Sequence, residues 1–242
     1  MDNFYQNAEQ GDDTNESEES SLELIKCMVE NTKTEADIDA EDNDGNSPFM
    51  LAVMNQRTQI VRYFISKGVR IDRTNKNGMC ALHFCAGADD RFELCKLLVD
   101  NGANSNKTDG IGHGVTPLHI ACGQGALKNV KFLVEQCGGD IELADSDGAS
   151  AIFYAVAKEQ FDVVQYLVSK GARIDQLNHK GRSPLIVACL VGHLQIAKFL
   201  VENGADIEVV ASDGLTAVRA AIIKDSVEIL NNLLVNGARI DR

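Results

Sequence analysis

Long apolar runs are missing from this chain. Its apolar helical stretches are cut by charges and glycines within about a dozen residues, too few to span a bilayer. The stretch Met1-Asp2-Asn3-Phe4-Tyr5 lacks the basic and apolar regions expected of a secretory leader. Positive charge is scarce: 23 Lys and Arg face 36 Asp and Glu, a net charge of -13. That balance repels phosphate backbones and argues against nucleic acid as a direct partner. Seven cysteines form an odd set without a Cys-x-x-Cys pair. Cys27, Cys85, Cys95, Cys122 and Cys189 fall at helical positions as small apolar fillers. This fits reduced thiols in the cytoplasm or nucleus better than a disulfide framework. Tryptophan is absent, and the 3 prolines, Pro48, Pro117 and Pro184, each directly follow Ser or Thr.

The charge is unevenly spread. Residues 1–23 hold eight acids and no base, which leaves 28 acids against 23 bases in the remainder. Residues 1–19 are polar, acidic and aperiodic, so they read as a disordered tail that either solubilises the chain or docks on a partner.

What the chain does have is glycine at a fixed interval. Gly45, Gly78, Gly114, Gly148, Gly181 and Gly214 recur about every 33 residues, and Gly68, Gly102, Gly138, Gly171, Gly204 and Gly237 form a second series in phase with the first. The stretch 178–207 displays the plan. A glycine turn precedes Ser183-Pro184, where proline starts a helix without losing a needed donor. Gly192-His193 breaks that helix, and Leu194, Ile196, Ala197, Phe199, Leu200 and Val201 give a second one with a wide apolar face. Gly204 ends it. Such a unit cannot bury its apolar face alone and needs neighbours of its own kind.

With Thr116-Pro117-Leu118-His119 complete, Ser47-Pro48-Phe49, Ala81-Leu82-His83 and Thr216-Ala217-Val218 as variants, and the Gly-Ala-Asp-Ile ending at Gly204, the sequence resembles the ankyrin repeat family over about residues 20–242. The resemblance implies an all-α solenoid of stacked helix-turn-helix units with projecting, β-hairpin-like fingers. Its domains are the acidic tail 1–19 and a repeat domain 20–242. The latter comprises a half-unit, 20–41, as a cap, then full units at about 42–74, 75–107, 108–143, 144–177, 178–210 and 211–242. The second unit carries one extra residue near Gly87 to Phe92, and the third is about two residues longer before Gly114. The runs at 69–73, 172–176 and 205–209 read as short extended arms of the fingers. The sixth unit stops in mid-finger, so either its last helix is an imperfect cap or the array is longer.

Catalytic and metal chemistry find little support. His119 and Cys122 share a helical face, but the resemblance makes His119 and His83 structural residues that join neighbouring loops, and His193 part of the inter-helix turn. No set of four ligands with zinc spacing occurs, and no Gly-x-Ser-x-Gly elbow. Gly110-Ile111-Gly112 lacks the ending of a phosphate loop. The expectation is a non-enzymatic chain with no catalytic residue, no cofactor and no metal.

The resemblance instead implies protein binding at finger tips and the exposed side of first helices. The positions expected there include Asn46, Met54 and Asn55 in the first unit, Met79 in the second, Val115 and Gln124 in the third and Lys158 in the fourth. His179, Lys180, Arg182, Leu190 and Val191 follow in the fifth, then Leu215 and Lys224 in the sixth. Apolar anchors within a polar rim suit a protein partner. The implied role is an adaptor, scaffold or inhibitory subunit, or else the targeting part of a larger assembly such as a ubiquitin ligase. The chain is expected to be a monomer in the cytoplasm or nucleus that binds neither nucleic acid nor membrane. In the family a finger asparagine can be hydroxylated; Asn106 matches that position, which Asp72, Glu142, Asp175 and Glu208 fill elsewhere.

Overall fold

A computed structural model describes residues 40–110 and 112–240, together with Leu22, Glu23 and Lys26. The acidic segment 1–19, most of the half-unit 20–41, Ile111 and the last two residues lie outside the described set. The chain divides into two compact units, Met1–Arg70 and Ile71–Arg242. Among the described residues regular structure is helical and no β-strand occurs.

In the first unit, α1 (Pro48–Met54) and α2 (Thr58–Ser66) form an antiparallel pair. Ser47 Oγ accepts the Met50 N–H at 3.3 Å, so the residue before the proline is the cap. Phe49 meets Phe64 edge to face, at 6.5 Å between centroids.

The second unit repeats this pair in α3 (Ala81–Ala86) with α4 (Phe92–Asp100), α5 (Pro117–Gln124) with α6 (Leu127–Glu135), and α7 (Ala151–Ala157) with α8 (Phe161–Ser169). Then come α9 (Pro184–Val191) with α10 (Leu194–Glu202) and α11 (Ala217–Ile223) with α12 (Val227–Val235). The first helix of each pair stacks on the first helix of the next, more closely than the second helices do. Leu82, Leu118, Ile152, Leu185 and Val218 fill one buried row, and Leu98, Leu133, Leu167, Leu200 and Leu233 fill the other. Gly87 leaves room for the close stacking, whereas a Cβ at Gly123 would make only ordinary contact. A Cβ at Gly87 would lie 3.2 Å from Ile120 Cγ2, and one at Gly123 would lie 3.6 Å from Tyr154 Cδ1.

In five of the six pairs the turn between the two helices uses a left-handed residue; in the α3–α4 turn Gly87 instead has φ -76°. Gly125 and Gly192 supply the left-handed residue with φ of 75° and 89°. At the same place Gln56, Glu159 and Asp225 hold φ between 56° and 59°, the more strained choice for a residue with a side chain. After each second helix the expected glycine stop is present: Gly204 has φ 88°, and the Ala205 N–H returns to the Leu200 carbonyl at 3.0 Å.

The arms expected at 69–73, 172–176 and 205–209 are turns rather than extended segments. In the arm at 205–209 the Asp206 side chain draws the chain round: Asp206 Oδ1 accepts the Glu208 N–H at 2.9 Å, a contact that an extended arm could not make. The two irregular repeats, the second and third, have a local cause. In the second, Asp89–Arg91 forms a 3₁₀ turn whose Asp89 carboxylate caps α6, accepting the N–H groups of Lys128 at 3.2 Å and Asn129 at 3.0 Å. In the third, the longer loop is closed by Asp109, which accepts the Val115 N–H at 2.9 Å across six residues.

Leu185 has no solvent exposure while the Lys180 side chain stands free at a finger tip. Leu185→Ala is expected to cost about 2–5 kcal/mol and Lys180→Ala within about 0.5 kcal/mol. Urea unfolding of both variants checks this, and equal losses would contradict the assigned faces.

Candidate functional site

Every finger but the last is closed by one side chain. Asn178 Oδ1 accepts the N–H groups of Lys180 and Arg182, both at 3.0 Å, while the backbone runs back from Asn178 N–H to the Arg182 carbonyl at 3.1 Å. Asp42, Asn75 and Asp145 make the same double contact two and four residues on. Ala211 stands at this position in the last unit and keeps only the backbone part, Ala211 N–H to Leu215 O at 2.8 Å.

Closed fingers are then tied together within the second unit. The His179 N–H donates to Asp147 O at 2.8 Å and the Ser212 N–H to Lys180 O at 3.0 Å. A second row of bonds lies beyond it. Asp72, Asn106, Glu142, Asp175 and Glu208 accept the N–H groups of Asn104, Asp140, Arg173, Asp206 and Arg239 at 2.9 to 3.0 Å. The requirement at this position is thus an oxygen acceptor, which both acids and Asn106 provide. Asn106 also donates Nδ2 to Gly138 O at 3.0 Å, so both ends of its amide are engaged.

The buried histidines are joints of the same kind. His119 Nδ1 accepts the Thr116 N–H at 3.0 Å, which leaves Nε2 protonated to donate to Leu143 O of the next finger at 2.9 Å. His83 bridges the Cys80 N–H and Val115 O in the same way, at 3.1 Å each. Burial pushes both imidazoles below their ordinary pKa. Cys122 is fully buried and its thiol is pushed up by that burial, which makes it a poor nucleophile. Among the described residues no group of three or more His, Cys, Asp or Glu could hold a metal ion, and no helix is long and apolar enough to cross a membrane.

The predicted surface residues divide accordingly. Gln124, Lys158, His179, Lys180 and Lys224 are exposed, and Met79, Val115, Leu190 and Val191 are half-buried beside them in the second unit. In the first unit Met54 is half-buried and Asn55 is exposed, but Asn55 Nδ2 donates to Leu51 O at 2.8 Å and closes its own helix. Three expectations are corrected. Asn46 is buried and hydrogen-bonds Asp42 Oδ2 at 3.0 Å, as part of the finger closure. Leu215 is buried too, because it precedes the cap Thr216 and turns inward under its finger. Arg182 is only 23% exposed at its side chain and spends its guanidinium on Asp213 of the next finger at 2.8 Å, which holds the Asp213 carboxyl below its usual range. Ile120, Tyr154 and Val187, half-buried on the same side of the inner helices, were not among the predicted residues. Their signal was a bulky residue directly before a buried alanine of the first helix, at Ile120-Ala121, Tyr154-Ala155 and Val187-Ala188.

The profile of ankyrin repeats in three copies matches residues 16–109, 93–178 and 170–242. The chain belongs to the ankyrin-repeat family. It is 29% identical over 138 residues to an ankyrin repeat protein of variola virus, covering 54% of this chain and 24% of the viral one. Over 145 residues it is 28% identical to the probable 26S proteasome regulatory subunit p28 of Saccharomyces cerevisiae, covering 59% and 62%. To the B-cell lymphoma 3 protein homolog of Mus musculus it is 27% identical over 143 residues, covering 57% and 31%. In each case the match spans less than two thirds of the relative's length. Ankyrin repeats generally mediate protein–protein interaction, and the family is typically a non-catalytic module.

His83 and His119 give this ankyrin chain a pH dependence. Their folded pKa lies below the unfolded value of about 6.5, so the unfolded chain binds more protons in the window below that value. Stability is therefore full above about pH 6.5 and falls as pH drops toward the folded pKa. Thermal unfolding at about pH 7.5 and 5.5 is expected to show a lower Tm at the acidic end, with a smaller drop in the His83→Asn/His119→Asn double variant.

Proposed function

We propose that this chain is a non-enzymatic protein-binding module, an adaptor, scaffold or inhibitory subunit, that holds its partner on the finger tips and inner helices. The observation that carries the reading is a division of labour. Asn178, Asp175, His119 and Arg182 spend their polar atoms within the scaffold, whereas Lys180 at a finger tip and Gln124, Lys158, Lys224, Leu190 and Val191 along one side of the first helices are left half or fully exposed. Half-buried apolar groups among solvated polar ones provide the anchor-and-rim surface of a protein interface. The module acts as a monomer in the cytoplasm or nucleus, without nucleic acid or membrane as a partner.

A second reading makes the chain the recognition part of a larger assembly, such as a ubiquitin ligase, with catalysis in another protein. The match to a proteasome regulatory subunit supports it. Tagged wild-type chain, Val191→Arg and Lys198→Glu on the outer helix α10 are compared by affinity capture and mass spectrometry. Partners retained by wild type and Lys198→Glu but lost by Val191→Arg fit the inner-helix surface. Loss confined to Lys198→Glu would move the site to the outer helices.

A further inference from the structure

The inner helices α1, α3, α5, α7, α9 and α11 hold no Asp or Glu at all, although the chain has 36. Of the second helices, α4, α6, α8, α10 and α12 each carry at least one acid, among them Glu93, Glu135, Asp162, Glu202 and Glu228. Burial accounts for part of this bias but not for Ile120, Gln124, Tyr154, Val187, Leu190, Val191 and Ile223, which face solvent in part or fully.

The C-caps of two of these helices are exposed lysines, each followed in its turn by an exposed acid, Glu159 or Asp225. Lys158 is the C-cap of α7 and Lys224 the C-cap of α11. A Cβ at Gly123 would lie 3.9 Å from Lys158 Cγ, and one at Gly192 would lie 2.7 Å from Lys224 Cε, so each lysine stem lies along the neighbouring inner helix. Val191 holds the corresponding place between them at the end of α9, with Leu190 beside it. Among the described residues Lys158, Lys180 and Lys224 have no carboxylate partner. The nearby acids are committed or peripheral. Glu159 faces His193 Nδ1 at 3.3 Å, Asp213 pairs with Arg182, and Asp147 and Asp225 lie in turns.

We infer that this strip binds an acidic, extended segment of a partner protein, with apolar side chains between its carboxylates. The inference rests on the inner-helix reading of the binding surface. Lys158 and Lys224 are two helix spacings apart, about 16–20 Å at ordinary packing distance. An extended chain advances about 3.3 Å per residue, so the two carboxylates that meet these lysines stand about five or six positions apart. The side chains between them contact Leu190 and Val191. Lysine at a helix C-terminus also complements the helix dipole, a role that affects stability and not ligand sign.

The test uses the full chain and fluorescence anisotropy with a seven-residue labelled peptide, glutamate at both ends and alternating leucine and threonine between. A lysine-ended twin and a twin with adjacent glutamates serve as controls. The glutamate-ended peptide is expected to bind best, to weaken as salt rises, and to lose at least tenfold in affinity for the Lys158→Glu/Lys224→Glu variant, which in turn gains affinity for the lysine-ended twin. Thermal unfolding of the variant separates lost binding from lost fold. Equal binding of all three peptides, no saturable binding, or unchanged affinity in the double variant overturns the inference. So does a labelled oligonucleotide that binds through the same lysines, or a peptide of residues 1–23 that displaces the probe more strongly than the unlabelled probe does. A captured partner lost on Val191→Arg but kept by Lys158→Glu/Lys224→Glu would refute the acidic ligand alone. A partner kept by both would refute the inner-helix surface itself.

Discussion

A helix of seven or nine residues is too short to persist alone in water, so residues 71–240 depend on what each helix pair receives from the next. Part of that is apolar, through the rows that include Leu118 and Leu185 and their outer counterparts Leu133 and Leu200. The rest is polar and directional. An N–H at the start of each finger finds an oxygen on the previous one, from Asp72 to Asn104 through to Glu208 and Arg239. These donors lie on exposed residues, so each bond contributes only about 0.5–1.5 kcal/mol, and any oxygen acceptor serves, whether Asp, Asn or Glu.

This coupling also sets which side chains remain available to a partner. His83 and His119 are consumed as joints, Asn178 and Asp145 as finger closures, and Arg182 as a strut to Asp213. What is left on the inner side is a strip of half-buried Ile120, Tyr154, Val187, Leu190 and Val191 flanked by exposed Gln124, Lys158 and Lys224. Tyr154 belongs to both sets: its ring lies 4.8 Å from that of His119 and its hydroxyl donates to Asp145 Oδ2 at 2.7 Å. A surface held from behind in this way is presented with little conformational freedom to lose on binding.

Helix pairing was legible because glycine and proline act locally: Gly192 must turn left-handed and Pro184 must sit in a first turn, whatever surrounds them. The structural histidines were legible through the resemblance. What escaped is mostly contact across about 31 to 34 positions, which periodicity does not expose. Arg182 reads as a free cation until Asp213 is placed opposite it, and the extra residue near Asp89 reads as slack until its carboxylate caps α6. Asn46 and Leu215 were misassigned because the residues around a finger turn alternate between tip and core within one or two positions. The first residue of every finger but the last, Asp42, Asn75, Asp109, Asp145 and Asn178, carried a readable signal in its repeated Asx identity.

The central claim is that the finger bonds between neighbouring units hold the binding side in place. Amide hydrogen exchange followed by NMR in the unsubstituted chain and in Asp175→Ala tests it most directly. The account predicts that the Asp206, His179 and Ser212 amides are protected in the unsubstituted chain, although they lie in surface turns. In Asp175→Ala the Asp206 amide loses most of its protection, while the amides of α5 and α6 keep theirs. Exchange of those finger amides at the rate of an unstructured peptide in the unsubstituted chain would contradict the claim.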